Sequence, residues 1–428
     1  MKLCAVGDVI IGRRISDEFI GYSELAPIIK NADAGFFNLE TTLNREGECY
    51  ASEASGGTYL RTNPEVLCDI KKFGFNMTSF NNNHAMDFSF DGLLLTLDAV
   101  EKSGLVHSGV GRNLAEASAP RYLDTANGRV ALISINTTLP GQMTAGEQSE
   151  RMPGRPGVNS LRFEQVVTLD EGDYESMRNI IHKSGISAEL EMDKKAGYFG
   201  GEDGRLTLDR VSFVKGDQTK LERKLNKSDL ERLKKSIYEA KLQADYIMVS
   251  VHSHEPEGYN LEDTPKFLEE IAHFCIDNGA HAVVGHGPHL LRPIEIYKGM
   301  PIFYSLGDFV LQLYNVEFAP HDFYSQYGLP TSATVHELLK ARSKSFTVGL
   351  MTDKRMFISI LPVWECDGDK PTSIKLYPIL LTMDGKKSEI GLPRLCTERE
   401  LMSDFITRSE ALGTRLTWNE DGSLSVEI

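Results

Sequence analysis

The chain has 428 residues, a formal net charge of -15, 41% hydrophobic and 25% charged residues. That length exceeds what a single hydrophobic core usually sustains, so a large domain with insertions, or a domain with a smaller appendage, is expected, and the composition excludes a disordered chain. The acidic balance excludes sequence-independent nucleic-acid binding, which needs a surplus of Lys and Arg, and leaves room only for a local basic pocket that could hold a small anion.

In chain order, short apolar runs end in polar side chains. LCAVGD leads to Asp8, AGFFNLE to Glu40, FNMTSFNNNH to Asn83 and His84, DYIMVSVH to His252, and AHAVVGH to His286. Continuous apolar runs separated by helical stretches predict strands buried on both faces of an α/β sheet. Their polar ends should converge on one edge, where open α/β sheets bind ligands.

Between the runs, DGLLLTLDAVEKSGLVHSGVG predicts a helix, a glycine stop and a short strand. In DTPKFLEEIAHFCIDNGAHAVVGH, Asp263 or Thr264 can cap a helix, Pro265 suits its first turn and Gly279 ends it. From about 164 to 244 the chain turns charged and helical in pattern, with a glycine-rich polar stretch, KKAGYFGGEDGRLTLDR, inside it. This predicts an insertion in a main domain spanning 1–312. Residues 313–428 read as a C-terminal extension packed on that domain. In it, FTVGLMTD and RMFISILPVWE predict an antiparallel hairpin, and RELMSDFITRSEALG a final amphipathic helix.

The N-terminal apolar run reaches only about six residues before Asp8, and no later segment approaches the roughly 20 needed to span a bilayer. The expectation is a cytoplasmic chain without a membrane span. Cys4, Cys49, Cys68, Cys275, Cys366 and Cys396 lie far apart with no paired spacing, which predicts reduced thiols, mostly in the core.

Divalent zinc, manganese or iron accepts mixed imidazole, carboxylate and amide ligands, and a two-metal site draws several side chains from several elements. Asp8 follows a glycine after a strand, although alone it reads as readily as a turn or capping residue. Glu40, in FFNLETTL, would be costly to bury unpaired, so a metal or an arginine would relieve it. In NNNH, Asn83 could offer its carbonyl oxygen to a metal and His84 could act as a general acid. HSHE supplies His252 and His254, one a candidate ligand and the other a neighbour supporting it or meeting substrate. GHGPH sets His286 and His289 three residues apart around a glycine–proline turn that exposes both rings. His107, His182, His273, His281, His321 and His336 have no such setting. No phosphate-binding glycine loop, nucleophile elbow or Ser-His-Asp order is evident.

Together, GDVIIGR, NLETTL, NNNHAMDF, RPGVNSLR, HSHE, GHGPHLLRPIEIYKG and PIFYSLGDF resemble the CapA, or poly-γ-glutamate capsule biosynthesis (PGA_cap), family over about residues 1–312. The resemblance implies a fold similar to calcineurin-like metallophosphoesterases, a four-layer α/β/β/α sandwich with metal at the sheet edges. Position by position it implies metal ligands at Asp8, Glu40, Asn83, His252, His286 and His289, with His84 the motif histidine. Two departures stand out: Ile10 occupies the place of a usual histidine, and Glu40 that of an aspartate. Asp308, in YSLGDF, stands where the family more often has asparagine.

The resulting expectation is a metal-dependent hydrolase using one or two ions (Mn, Zn or Fe). Asp8 and His84 would serve catalysis, with His84 protonating the leaving group. Arg13, Arg155, Arg292 and His254 would hold an anionic small-molecule or polymer substrate, either a phosphoester or a γ-linked carboxylate. The alternative is a non-catalytic accessory of poly-γ-glutamate capsule synthesis or export. Assembly into a homo-oligomer is left open.

Overall fold

The computed structural model describes residues 1–198 and 206–428. It contains two compact units, one formed by Met1–Ser160 with Arg232–Ile428 and the other by Leu161–Glu231. Most of the glycine-rich stretch of the charged region, residues 199–205, lies outside the described residues.

Among the described residues the larger unit holds a ten-stranded and a six-stranded sheet. In the first, Lys2–Ile10, Ala34–Leu39, Met77–Ser79 and Val106–Ser108 run parallel in that order. In the second, Gly128–Asn136, Tyr246–His252, Ala282–His286 and Met300–Leu306 do the same, flanked by antiparallel Arg121–Thr125 and Leu291–Tyr297. Parallel strands are covered on both faces. This is why Tyr246–His252 and Ala282–His286 are buried throughout their lengths.

Side chains from both sheets share one core: Leu3, Ala5, Phe36 and Met77 from the first, with Leu132, Met248, Val284 and Phe303 from the second. Across this core Trp364 donates from its indole nitrogen to the Tyr246 hydroxyl at 2.8 Å. The opposite face of the ten-stranded sheet, including Cys4, Phe37 and Leu39, packs against helices Ile20–Lys30, Val66–Phe73 and Ser89–Ser103 through Leu25, Ile70 and Leu97.

The chain crosses from one sheet to the other at a single residue. Met300–Leu306 belongs to the six-stranded sheet, and Asp308–Leu311 pairs with Lys2–Ile10 in the ten-stranded one. Gly307 makes the corner at φ +71, a left-handed conformation that glycine adopts without a Cβ penalty. YSLGDF is therefore the sheet-to-sheet corner.

Several expectations need correction. The C-terminal hairpin is Ile358–Asp367 with Lys370–Leu381, and it joins the ten-stranded sheet beside Lys2–Ile10. FTVGLMTD is not a strand. Positive φ at Lys344, Ser345, Phe346 and Gly349 and a 3-10 turn at Leu350–Thr352 keep the backbone out of the extended region. The helix Lys266–Asn278 starts after Pro265 with no side-chain cap, because Asp263 is engaged by Asn260 and Arg408 instead. Its end at Gly279, in the left-handed region, and the end of Ser89–Ser103 at Gly104 are as expected. In the smaller unit, part of the charged region is strand rather than helix: Phe163–Leu169 pairs with Val211–Lys215 and Lys220–Leu225. Helix Glu171–Ser184 follows Phe163–Leu169, as its pattern predicts. No helix among the described residues is long and apolar enough to cross a membrane.

Candidate metal centre and cleft

Asp8 does not end its strand, as the sequence suggested, but sits at a break in it. The strand's register shifts between Ala5 and Asp8 against Ala34–Leu39, and between Asp8 and Val9 against Asp308–Leu311. Such bulges re-aim a side chain out of the regular alternation. A Cβ on the preceding Gly7 would lie 1.9 Å from the Gly307 carbonyl oxygen, so only glycine lets the strand pass the corner. The Asp8 carboxylate accepts from Asn38 Nδ2 at 2.7 Å and from the Gly287 backbone N–H at 2.8 Å, which ties the two sheets together at this point.

Glu40 follows the end of Ala34–Leu39, its backbone N–H donating to the Val9 carbonyl at 3.1 Å. Both of its carboxylate oxygens are buried and meet no hydrogen-bond donor. Around its Oε1 stand the Nε2 atoms of His84 at 3.9 Å, His252 at 3.9 Å, His254 at 3.8 Å and His289 at 3.8 Å.

In NNNH the first two amides brace the fold. Asn81 donates to the Ser134 and Asn159 carbonyls, and Asn82 to the Leu39 carbonyl. The third faces the cluster, with Asn83 Oδ1 2.8 Å from His252 Nε2. His84 is oriented through Nδ1 by Asp87 at 2.7 Å, and Asp87 is itself held by the Leu60 and Gly56 N–H groups. His252 Nδ1 lies 2.8 Å from His286 Nδ1, and Ser250 Oγ sits 2.7 Å from His286 Nε2. His254 Nε2 is 3.0 Å from His252 Nε2, inside the cluster. His289, at φ +60, points Nδ1 at Asp308 Oδ1, 2.9 Å away. That left-handed backbone costs a residue with a side chain on the order of 1–3 kcal/mol, which the surrounding turn must over-determine. Both rings of the GHGPH turn are buried, not exposed as the sequence suggested.

The electrostatics are those of a site short of positive charge. Burial raises the pKa of Asp8, and raises Glu40 and Asp308 well above the usual carboxylate range, with repulsion from Asp8 adding to both. Burial pulls His252, His254 and His289 down, and His286 to about 3, with neighbouring imidazoles pressing His252, His254 and His286 further. Neutral imidazoles beside three buried carboxylates form a donor set without a countercharge.

That donor set fits a divalent ion. Asp8 with His252 and His286, Glu40 with His254 and His289, and Asp8 with His289 and Asp308 each bring three candidate ligand atoms within 4.8 Å of one another. Glu40's orphaned oxygens are what a cation would satisfy.

A protein-family comparison matches residues 2–313 to "Bacterial capsule synthesis protein PGA_cap". The chain belongs to this family. The Sinorhizobium fredii protein named "Uncharacterized protein y4sH" is 32% identical over 428 residues, 97% of this chain and 90% of that one. "PGA biosynthesis protein CapA" of Bacillus subtilis is 26% identical over 316 residues, 71% of this chain and 62% of that protein. Among solved structures, a hypothetical protein from Thermus thermophilus is similar at 12% identity and a TM-score of 0.40, covering 88% of this chain and 98% of that one.

Beyond the cluster opens a cleft of about 380 Å³, floored by His84, His254 and His289. Ile10 lines it with an apolar side chain where the family resemblance led us to look for a histidine. None of the expected arginines is among the residues that line this cleft, although the charge of Arg292 acts on His254. Arg13 is directed at the Lys387 carbonyl, and exposed Arg155 at the Thr144 carbonyl. Buried Arg292 holds the Leu261 and Glu255 carbonyls, fixing the loop that follows HSHE. The arginine that does line the cleft is Arg342, which sequence reasoning missed because nothing in LLKARSKS marks it as more than a charged helix end.

Proposed function

We propose that this chain is a metal-dependent hydrolase acting on an anionic substrate, a phosphoester or a γ-linked carboxylate such as poly-γ-glutamate. Its fold would be a four-layer α/β/β/α sandwich of the calcineurin-like metallophosphoesterase type. The observation that carries this reading is Glu40, a buried carboxylate without a donor, set among four imidazole Nε2 atoms at 3.8–3.9 Å. Asp8, Glu40, Asn83, His252, His286 and His289 would hold one or two divalent ions, manganese, zinc or iron, with His254 and Asp308 as additional donors. A bound ion supplies Lewis acidity and lowers the pKa of water.

The chain's own residues do the rest. Asn38 and the Gly287 N–H fix the Asp8 carboxylate, and Asp308 fixes His289. Asp87 aims the His84 Nε2 edge at the floor of the cleft, where it can hand a proton to a leaving group. With Ile10 offering no donor, Asp308 is the carboxylate placed to serve the same side of the site, since it pairs with Asp8 in register.

Ile10 also favours a second reading, a non-catalytic accessory in which the centre merely receives carboxylates. Elemental analysis and turnover of generic phosphoesters and γ-glutamyl peptides with manganese or zinc separate the two. Asp8→Ala and His286→Ala should lose metal while staying folded, and Asn83→Ala and His84→Ala should lose turnover. Metal content unchanged in Asp8→Ala and His286→Ala defeats the hydrolase reading. Binding of γ-glutamyl peptide without turnover in the wild type supports the accessory.

A further inference from the structure

One side of the cleft above the histidines is built from a segment beyond the family-matched region, within residues 314–356. Helix Val335–Arg342 opens with a capping box, Thr334 and Glu337 each accepting the other's backbone N–H, so its last residue is presented from a fixed frame. The Arg342 guanidinium donates to the Thr58 hydroxyl and lies over the Phe323 ring, 5.6 Å from its centroid. No carboxylate is among the groups that shift its pKa, and no Asp or Glu lines the cleft. In a chain of net charge -15, a half-buried cation facing a pocket without a carboxylate is an electrostatic vacancy for an anion.

Much of the remaining wall is apolar: Leu313, Leu339, Val348, Leu350, Met351 and Met356. Beyond the ions proposed for the floor, a repeating polyanion would meet only Arg342 among the lining residues and would leave its other carboxylates against these side chains, at a desolvation cost. A compact anion attached to an apolar body satisfies both surfaces.

We propose that the substrate is such a molecule, a single anionic group on an aryl or alkyl body, with Arg342 binding the anion and the 313–356 wall covering the body. This rests on the reading of the histidine–carboxylate cluster as the reactive centre, and Arg342 acts as a specificity-determining residue. The guanidinium serves phosphonate and carboxylate alike, so the probes must include both.

The test is calorimetric titration of the full chain, supplied with manganese, with phenylphosphonate, methylphosphonate, inorganic phosphate, phenylacetate and a γ-glutamyl tetrapeptide. Phenylphosphonate or phenylacetate should bind at least tenfold more tightly than methylphosphonate, phosphate and the tetrapeptide. Which of the two wins identifies the anion. Arg342→Ala should weaken the better probe tenfold or more and Arg342→Lys less, with manganese content by elemental analysis unchanged in both. Met351→Glu, which places a carboxylate in the wall, should weaken it similarly and provides the test should Arg342→Ala fail to fold. Equal binding by the wild type and these variants, no preference for the apolar body, tighter binding of the tetrapeptide, or no binding of any probe overturns the proposal. Loss of manganese from the wild type itself would instead strike at the reading of the centre.

Discussion

Replacing Glu40 by glutamine should stabilise the metal-free protein and abolish its response to metal. In the wild type both Glu40 oxygens are buried without a donor, and Asp8 and Asp308 add repulsion. An unsatisfied buried polar group costs about 1–3 kcal/mol, and more if charged. Glutamine keeps the shape, removes the charge and can donate to Asp8, so after chelator treatment Glu40→Gln should be more stable at neutral pH by about 1–3 kcal/mol. The sign of the pH dependence follows from the raised pKa. The wild-type penalty is present at high pH and relieved as pH falls through the folded value, so the gap between the two proteins should close on acidification. Manganese should reverse the order. An ion at 100 times its Kd adds about 2.7 kcal/mol to the protein that binds it, and Glu40→Gln should gain little. Urea unfolding of both proteins, with and without manganese, reads all of this. A metal-free Glu40→Gln less stable than the wild type, or one that manganese stabilises equally, would refute the argument that Glu40 is kept for a cation.

Gly7→Ala should destabilise by about 1–3 kcal/mol or more, because the new Cβ meets a backbone oxygen that cannot swing aside; thermal unfolding checks it, and metal content should fall as Asp8 is displaced. Tyr246→Phe strips the Trp364 indole and the His281 carbonyl of a buried partner and should cost about 1–3 kcal/mol in urea unfolding. Burial alone would raise the pKa of Asp69, but donation from Arg14, Lys72 and the Ile15 N–H outweighs it and lowers the value. Its stabilisation is therefore present above the unfolded carboxylate pKa of about 3.9 and lost as pH falls through the folded one. Asp69→Asn should be about 1.5–3 kcal/mol less stable at pH 7 and should lack that acid limb in a pH series of unfolding midpoints.

The strand ends carrying Glu40, His252 and His286 were legible because parallel strands buried on both faces leave continuous apolar runs, and a polar residue closing such a run stands out. The turn glycines Gly104 and Gly279 were legible for an equally local reason, the left-handed cap. What misled was also local. FTVGLMTD has the composition of a strand, and only its positive φ values, set by the surrounding chain, deny it that form. NNNH looked like three equivalent amides, yet two are consumed in holding strands and loops and only Asn83 faces the cluster.

The sequence by itself determined which side chains could form a metal centre and which long apolar runs were buried strands, because residue type and hydrophobic period are properties of neighbours along the chain. Tertiary structure alone decided that Asp8 sits at a bulge, that Gly307 carries the chain between sheets, and that the Ile358–Leu381 hairpin lies beside the first strand. It alone placed Arg342 over histidines more than fifty positions away and left Arg13 and Arg155 elsewhere. Those outcomes depend on pairings between distant residues, whose register is set by the packing of a whole core and leaves no periodic trace in any one segment.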